Sequence, residues 1–532
     1  MSKKPYKWAA AGDVNAFFGL MLDNVADLLL MVGLLVGVFQ FPQAFALNYM
    51  VPGTAVGVMV GDLLFFIMAF QTAKRTNRSD ITAMPLGLDT PSTFGMVFFV
   101  LGPAFIAAKA SGMSPDEAAK HTWHIGICSI FLSGIFKCVC AVASPWVRKM
   151  TPRAGLLGSL VAIALVLISF MPSVEMLHLP IVGMVALAII LTTLVARIPL
   201  PFKIPGALAS LLIAGGLYYL MAFFNLVDVD DMAPAPTATG VPTEWLEVFQ
   251  FRWVSAMGDA MMYLPVVIPF ALATVIGGID CTESAAASGD EFDTGKVIGV
   301  EAFATLVASV CGGVIQTTPY IGHPAYKAMG GRAAYTLATA LFVGVVGLTG
   351  LFEYFYFWIP KSTVFPILIF IGLEITSQSF QATPNRHFPA LGFACIPALA
   401  VLAYSFADRV MGDQGIELAD LNNPILREQI MTLRLLQNGF IVTSLLWASA
   451  LAALIDRRLV AAAVYFAICG GCAAVGIIHS PYPDGSTFLI WNLDREFLDL
   501  VLRYTIAYLL VAVMLVGLSR TVRVASPNSL SE

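Results

Sequence analysis

The stretch ITAMPLGLDTPSTFG, residues 81–95, interrupts a long apolar part of the chain. Apolar runs lie on either side of it, yet it contains Pro85, Gly87, Asp89 and Pro91. Proline and glycine break helices, and irregular backbone at membrane depth is tolerated only where protein or a water-filled cavity covers it. The stretch therefore predicts a broken membrane span that lines an internal cavity.

The composition of the whole chain is that of an integral membrane protein. Of its 532 residues, 58% are hydrophobic and only 12% are charged, with a mean hydropathy of +0.82, whereas soluble domains average roughly 25% charged residues. The net charge of -5 and the scattered basic residues argue against a nucleic-acid partner. We expect no metal centre and no cofactor.

Apolar windows of about 20 residues, the length of a membrane-spanning helix, recur along the chain. We predict seven spans at about 14–40, 45–71, 81–108, 115–141, 152–171, 176–196 and 204–225, seven more at about 257–288, 293–313, 314–330, 332–352, 361–381, 386–407 and 435–456, and two extra spans near 459–479 and 497–519. Because seven is odd, the second set enters from the opposite side of the membrane, which is the geometry of an inverted repeat.

Charged residues between the spans predict the orientation of the chain. Cytoplasmic loops carry an excess of lysine and arginine. Alternate loops here contain Lys3, Lys4, Lys7, Lys74, Arg75, Arg78, Arg148, Lys149, Arg153, Arg197, Lys203, Lys327, Arg332, Arg457, Arg458, Arg520 and Arg523. The opposite side carries Asp228, Asp230, Asp231, Glu244 and Glu247. We therefore expect a multi-pass protein of the inner or plasma membrane with both termini in the cytoplasm.

A second broken stretch occurs at the matching place in the second set of spans. It reads CGGVIQTTPYIGHPAYKAMGG, residues 311–331. Its β-favouring run is 314–317, and that of the first stretch is 81–84. Both stretches then break at proline and glycine, and both can restart as a helix with a proline at its first position, Pro91 or Pro324.

Two half-helices that begin near the middle of the membrane would create a polar site. Their free N–H groups and the positive ends of their dipoles would face the cavity, and Thr90 would be the N-cap of the first. Such helix ends suit an anion or a polar acceptor. The alternative interpretation is a proline-kinked helix that serves only packing.

Acidic residues inside predicted spans cost free energy and commonly serve function. Asp23 and Asp27 are four residues apart in the first span, and Asp280 and Glu283 are three apart in the eighth. Each pair therefore shares a helix face. Two close carboxylates resist simultaneous ionisation, so such a pair could take up and release a proton.

Less specific roles are open for several of these polar residues. Glu283 could snorkel to the inner surface, and Asp62 and Glu301 could be helix-packing partners. His323 is the only histidine in a broken segment and could equally be a satisfied core residue.

Short motifs in four spans match those of one known family. The eighth span has Asp280 and Thr282, the ninth has VEAFAT with Glu301, the tenth has TTPYIGHPAYKAMGGR, and the thirteenth ends in LAYSFADRV. These motifs resemble the nucleobase–cation symporter family of the xanthine/uracil permease type, and most closely its hypoxanthine, adenine and guanine branch. Asp27 falls near a substrate-facing polar position of the uracil branch.

The resemblance implies an all-helical membrane fold with a 7+7 inverted repeat, core and gate domains, and a short strand in each of broken spans 3 and 10. The boundaries would be 1–141 and 257–352 for the core halves, 142–225 and 353–456 for the gate halves, 226–256 for an external linker, and 457–532 for the extra spans and tail. Substrate would bind between the strands and the eighth span, at Asp27, Asp89, Thr90, Asp280, Glu283, Thr317, Thr318, Tyr320, Gly322 and His323. Coupling to a proton or ion would involve Asp280, Glu283 and Glu301.

One position departs from the family pattern. The tenth-span glutamate that grips the base in that family is replaced by Gly322 or by Ile321, depending on the alignment, and His323 is the nearest polar side chain.

We expect a secondary-active transporter for a nucleobase or similar small heterocycle, coupled to H⁺ or Na⁺ and working as a homodimer in the lipid bilayer. The alternative substrate is a small anion, as in the related sulfate and bicarbonate transporters, because two helix N-termini without a fixed glutamate favour an anion. A channel is a further alternative. The chain has no HExxH pair and no dense cluster of His, Asp and Arg, so we expect no enzyme.

Overall fold

The computed structural model describes residues 6–142, 153–196, 198–201, 204, 206–227, 241–320, 322–416, 418–483, 485, 487–488, 493 and 495–521. Residues named in the sequence analysis that lie outside these ranges are Lys3, Lys4, Arg148, Lys149, Arg197, Lys203, Asp228, Asp230, Asp231, Ile321 and Arg523.

The described chain is mostly helical, with one two-stranded sheet. In chain order the elements are α1 (Gly12–Phe39), α2 (Gln43–Thr76), β1 (Leu86–Leu88), α3 (Thr90–Ala110), α4 (Pro115–Val142), α5 (Arg153–Ala162, π-helical Ile163–Phe170 and Met171–Met176), α6 (Pro180–Val195), α7 (Gly206–Phe223), α8 (Leu264–Ala287), α9 (Thr294–Val310), β2 (Thr317–Pro319), α10 (His323–Ala328), α11 (Ala334–Leu348), α12 (Phe352–Trp358), α13 (Lys361–Gln381), α14 (Phe388–Asp413), α15 (Pro424–Gln437), α16 (Phe440–Ile455), α17 (Leu459–Ala474) and α18 (Arg495–Thr521). Short helical turns cover Glu244–Gln250, Arg252–Ala256, Met257–Ala260, Met261–Tyr263, Asn385–His387 and Leu418–Asp420.

Within the described residues, 10 helices are long and apolar enough to cross a membrane. The number rises to 12 if α11 with α12 and α15 with α16, which are bent by 90° and 79°, each count as one span. A multi-span, helical membrane protein is therefore confirmed. The predicted count of fourteen spans with two extra is higher, because broken spans contain extended chain and because α6 and α17 are apolar but shorter than 18 residues.

The chain falls into two compact units. One is drawn from residues 1–149 and 172–370, and the other from 150–171 and 371–532. The two extra C-terminal spans, α17 and α18, belong to the second unit. The division into core and gate domains stays a prediction.

The strands β1 and β2 pair antiparallel in the first unit. Their register places Leu86 opposite Pro319, Gly87 opposite Thr318, and Leu88 opposite Thr317. A strand in each broken span is thus confirmed, but each begins later than the β-favouring runs at 81–84 and 314–317. The position of the strands is set by the available hydrogen-bond partners more than by side-chain propensity, because a strand buried among helices needs a partner for every backbone N–H and C=O group.

The start of α3 follows the predicted pattern with one correction. Pro91 lies in the first turn, as the sequence indicates. The N-cap is Asp89 and not Thr90, because the extended backbone of Asp89 lets its carboxylate accept the N–H of Ser92 at 2.9 Å. Gly95 in the next turn allows close packing on α8, since a Cβ there would lie 2.0 Å from the ring of Phe270.

In the second unit, a buried histidine joins the connection between α17 and α18 to neighbouring helices. Nδ1 of His479 lies 3.0 Å from the carbonyl oxygen of Leu435, and Nε2 lies 2.7 Å from the hydroxyl of Tyr508. A carbonyl only accepts, so Nδ1 carries the proton and Nε2 accepts from Tyr508. Burial lowers the pKa of His479 to about 4, which keeps the ring neutral.

Candidate functional site

Side chains of neighbouring helices hydrogen-bond the outer edge of β1. The N–H of Leu86 donates to the Asp62 carboxylate of α2 at 3.0 Å, and the N–H of Leu88 donates to the Asn24 side chain of α1 at 3.0 Å. An unpaired strand edge in a membrane protein leaves polar groups unsatisfied. These two side chains therefore fix where β1 can form.

The outer edge of β2 is held in the same way by other helices. The N–H of Thr317 donates to the Thr305 hydroxyl of α9 at 3.3 Å, and its carbonyl accepts from the Lys137 ammonium of α4 at 2.9 Å. The Cys281 thiol of α8 donates to the carbonyl of Pro319 at 3.3 Å. The strand is thus anchored to three helices.

Lys137 is the only lysine or arginine below 9% exposure in the part of the chain that the structure describes. Its ammonium lies 2.8 Å from the carboxylate of Glu301, and both side chains have 0% exposure. A buried charge is costly unless it is paired and hydrogen-bonded. A lysine within the predicted fourth span was a signal that the sequence analysis did not use.

A line of hydrogen bonds connects α4 to the start of α3. The hydroxyl of Ser133 donates to the side-chain oxygen of Gln316 at 2.6 Å. The amide nitrogen of Gln316 donates to the hydroxyl of Ser92, which in turn donates to the carboxylate of Asp89. The backbone also joins here, because the N–H of Asp89 donates to the carbonyl of Gln316 at 3.1 Å. The predicted residue Asp89 is therefore a central acceptor of this region.

The acids of α1 lie beside the same strands. One oxygen of Asp27 accepts from the Thr90 hydroxyl at 3.0 Å, while the other has no hydrogen-bond partner among the described residues. Neither oxygen of Asp23 has such a partner, and its Oδ2 lies 3.6 Å from where a Cβ on Gly87 would be. Exposure is 5% for Asp23 and 0% for Asp27. Buried carboxylates of this kind are stable when they carry a proton or meet a cation.

The predicted acids of α8, Asp280 and Glu283, are half-buried. They lie in the part of α8 that contacts β2. The contact itself comes from Cys281 and from Gly278, where a Cβ would lie 3.6 Å from the Pro319 ring. Thr282 donates within its own helix, to the carbonyl of Gly278 at 2.7 Å.

The predicted residues of the tenth span have different environments. Thr317 is buried, with its hydroxyl 3.1 Å from that of Thr305, and Thr318 is partly exposed opposite Gly87. Tyr320 stacks on Tyr326 with ring centres 6.1 Å apart. Gly322 has no room for a side chain, because a Cβ would lie 2.7 Å from the ring of Tyr320.

The structure places His323 in a polar cluster formed with the connection between α8 and α9. Its Nδ1 lies 3.3 Å from the Ser288 hydroxyl, and its Nε2 lies 3.2 Å from the Thr82 carbonyl and 3.4 Å from the Asp290 carboxylate. The ring has 0% exposure. The imidazole thus contacts this connection and the start of the first broken stretch.

Asp290 is the centre of this cluster and was missed by the sequence analysis. Its carboxylate also receives the Thr82 N–H at 3.0 Å, Lys327 at 2.6 Å and Arg78 at 3.3 Å. Burial acts to raise the pKa of Asp290, but hydrogen bonds from His323 and Lys327 outweigh it and hold the pKa below its usual value. No local motif marks a loop aspartate as such a centre.

Histidine, cysteine, aspartate and glutamate, the side chains that commonly bind metals, occur among the described residues. No group of three or more His, Cys, Asp or Glu side chains is placed to hold a metal ion there. The chain has one Cys-x-x-Cys pair, Cys469 and Cys472 in α17, and both are free thiols in an apolar helix.

Comparison with known proteins gave structural matches, and three of low sequence identity are described here. No family model and no curated protein matches the chain. The transmembrane domain of the cyanobacterial bicarbonate transporter BicA is 16% identical, with a TM-score of 0.46, covering 70% of this chain and 91% of that one. SLC26A9 is 11% identical with a TM-score of 0.40, covering 74% and 62%. The murine anion transporter Slc26a9 in its inward-facing state is 10% identical with a TM-score of 0.40, covering 77% and 70%.

The predicted membership in the nucleobase–cation symporter family is wrong. The three structures described above are those of a bicarbonate transporter and, twice, of SLC26A9, which is an anion transporter, and none of the three is a nucleobase permease. The site agrees with this correction in one of the two alignments, in which the position of the base-gripping glutamate is Gly322, because a Cβ there would lie 2.7 Å from the Tyr320 ring. In the other alignment the position is Ile321, which lies outside the described residues.

Proposed function

We propose that the chain is a secondary-active transporter that moves a small anion together with protons. The anion would bind in the first unit, between the paired strands, the start of α3 and α8. The observation that carries the proposal is that two sources of positive potential, the N-terminus of α3 and the ammonium of Lys137, adjoin the strands of two broken spans.

The positive potential at this place has a structural origin. α3 is a continuous helix of 21 residues, and the N-terminus of such a helix carries about half a positive charge. Lys137 is fully buried and is paired with Glu301 at 2.8 Å, so it contributes a weakly screened dipole whose positive end is the ammonium, and not a full net charge. A small anion at the crossing of the strands would be stabilised by both.

Buried acids beside the strands support coupling to protons. Asp23, Asp27 and Asp62 each have at least one carboxylate oxygen without a partner among the described residues. If these groups were ionised, they would repel an anion, and if they were protonated they would not. Each anion bound would therefore be accompanied by protons. Glu301 faces Lys137, so we assign it to holding the ammonium, and Asp280 and Glu283 remain candidates for coupling.

The wider architecture belongs to the same proposal. An antiparallel pair of strands is related by a local twofold axis, and the register centred on Gly87 and Thr318 is what two inverted repeats meeting at the membrane midplane would produce. The strand pair supports including the 7+7 repeat with core and gate domains in the proposal, and the charged loops support cytoplasmic termini. The homodimer is part of the proposal as well.

The test is uptake of labelled chloride, sulfate and bicarbonate into liposomes that contain the full chain. We expect saturable uptake of at least one anion, driven by an inward proton gradient and abolished when the gradient is collapsed. A variant that lacks the coupling acid should lose accumulation driven by the gradient but keep anion exchange. Uptake that does not saturate and ignores the gradient would indicate a channel, and no uptake of any anion would refute the proposal.

A further inference from the structure

The carboxylate of Asp89 occupies the place at the start of α3 that suits a substrate anion. One of its oxygens accepts both the N–H and the hydroxyl of Ser92. The residue is only 9% exposed. In a helix that begins at membrane depth, these are the donors that a bound anion would otherwise use.

The direction of the neighbouring hydrogen bonds shows that they point toward a negative charge. The side-chain oxygen of Gln316 only accepts, and it receives the proton of Ser133. The side-chain nitrogen of Gln316 only donates, and it donates to the hydroxyl oxygen of Ser92. Ser92 in turn donates its own proton to Asp89. The whole line is polarised toward the carboxylate.

A second buried acid meets the same helix end. Asp27, at 0% exposure, accepts from the hydroxyl of Thr90, the first residue of α3, and its other oxygen has no partner among the described residues. An unpartnered buried carboxylate beside an N-terminus that already holds one carboxylate indicates that a proton or a ligand completes the site. A simple helix cap would need only Asp89.

We propose that Asp89 is a built-in anion that competes with the substrate for the start of α3 and must take up a proton before a substrate anion can bind there. The inference rests on the proposed function, and it assigns the coupling of proton and anion to one residue. The charged or titratable groups that act on Asp89 are Asp27 from α1, Lys137 from α4, Cys281 from α8 and Glu301 from α9.

Asp89→Asn separates the charge from the helix cap. Asparagine caps a helix about as well as aspartate, so the variant removes the negative charge and keeps an acceptor for Ser92. Asp89→Ser is a second uncharged cap. The matched control is Asp293→Asn, because Asp293 is the N-cap of α9, where it accepts the N–H of Lys296 at 3.0 Å on an exposed surface.

The measurement is the thermal midpoint of the purified full chain as chloride or sulfate is added, between about pH 5.5 and about pH 8. One proton taken up with each anion makes the apparent dissociation constant rise by up to about tenfold for each pH unit. We expect this rise in the native protein and in Asp293→Asn. Asp89→Asn and Asp89→Ser should bind the anion as tightly at the highest pH as the native protein does at the lowest.

Two outcomes would overturn the inference. If Asp89→Asn keeps the native pH dependence, the proton binds elsewhere, and if both uncharged caps lose anion binding while folding normally, Asp89 is a ligand and not a competitor. In either case an anion still stabilises the native protein, so the proposed function stands. If no anion stabilises the native protein even at the lowest pH, and none is taken up by liposomes, the proposed function fails and the inference with it.

Discussion

Lys137→Met would remove the only buried cation that the described residues place beside the strands, and it would leave the Glu301 carboxylate without its partner. The carboxylate of Glu301 has 0% exposure and would lose an ammonium at 2.8 Å. Breaking a buried ion pair in this way costs about 3–5 kcal/mol. The carbonyl of Thr317 would also lose its donor at 2.9 Å, a further loss of about 1–3 kcal/mol. We therefore expect strong destabilisation of the single variant.

The double variant Lys137→Met/Glu301→Gln should be more stable than Lys137→Met. Removing both charges leaves no unpaired ion, and replacing a buried pair by neutral groups is often close to neutral. The two single variants and the double variant form a cycle whose coupling energy should be about 3 kcal/mol or more. Reversible unfolding of the full chain in mixed micelles gives the free energies, and binding of chloride and sulfate to the double variant should be weakened.

A matched control exists on the surface of the same unit. Lys120 and Glu247 form an ion pair at 2.6 Å in which both side chains are partly exposed. The corresponding cycle, Lys120→Met with Glu247→Gln, should give a coupling energy of about 1 kcal/mol or less. If the buried cycle gives a value as small as this control, the two charges do not depend on each other, and the reasoning about the site's buried pair is refuted.

Three further predictions follow from other contacts. Hydrogen-bond donors hold the pKa of Asp290 in the folded protein below the usual value. The ionised carboxylate should therefore stabilise the fold at neutral pH, and this stabilisation should be lost as the pH falls through the lowered pKa of the folded state. Asp290→Asn should lower the thermal midpoint at neutral pH and remove that acid dependence. His479, with its pKa lowered to about 4, should cost the native protein about 3 kcal/mol as the pH falls from about 6.5 to about 4, because the unfolded chain binds the proton first. His479→Gln should abolish this loss in unfolding measured against pH. Asn24→Leu leaves the N–H of Leu88 without its acceptor at 3.0 Å and should cost about 1–3 kcal/mol in the same unfolding assay.

The broken spans could be predicted because their causes are local. Proline restricts the backbone and glycine frees it in any surroundings, and the first break contains Pro85, Gly87 and Pro91. The apolar sequence on either side of the break indicates a membrane span. The existence of a strand in each break and a helix restart at Pro91 and Pro324 was therefore recognised and is confirmed. The exact strand positions were not, because they depend on acceptors that other helices supply.

The resemblance to nucleobase permeases failed for a related reason. Short motifs such as VEAFAT describe fewer than two turns of one helix, and they do not specify which side chains those turns meet. Here Glu301 in that motif meets Lys137 from another helix. The family's substrate contact also depends on a glutamate that this chain lacks.

The sequence by itself determined that the chain crosses the membrane many times, that two spans are broken, and which acids lie within the spans. Only the tertiary structure decided that Lys137 pairs with Glu301, that Asp89 caps α3, and that His323 contacts Asp290. The two ion-pair contacts join segments that are distant in sequence, and the apolar periodicity of those segments would be the same if the contacts did not form. The cap is different, because it depends on the backbone conformation of Asp89 alone. Hydrophobic patterns place helices in the membrane, but hydrogen bonds and ion pairs depend on which helices become neighbours and how they are turned.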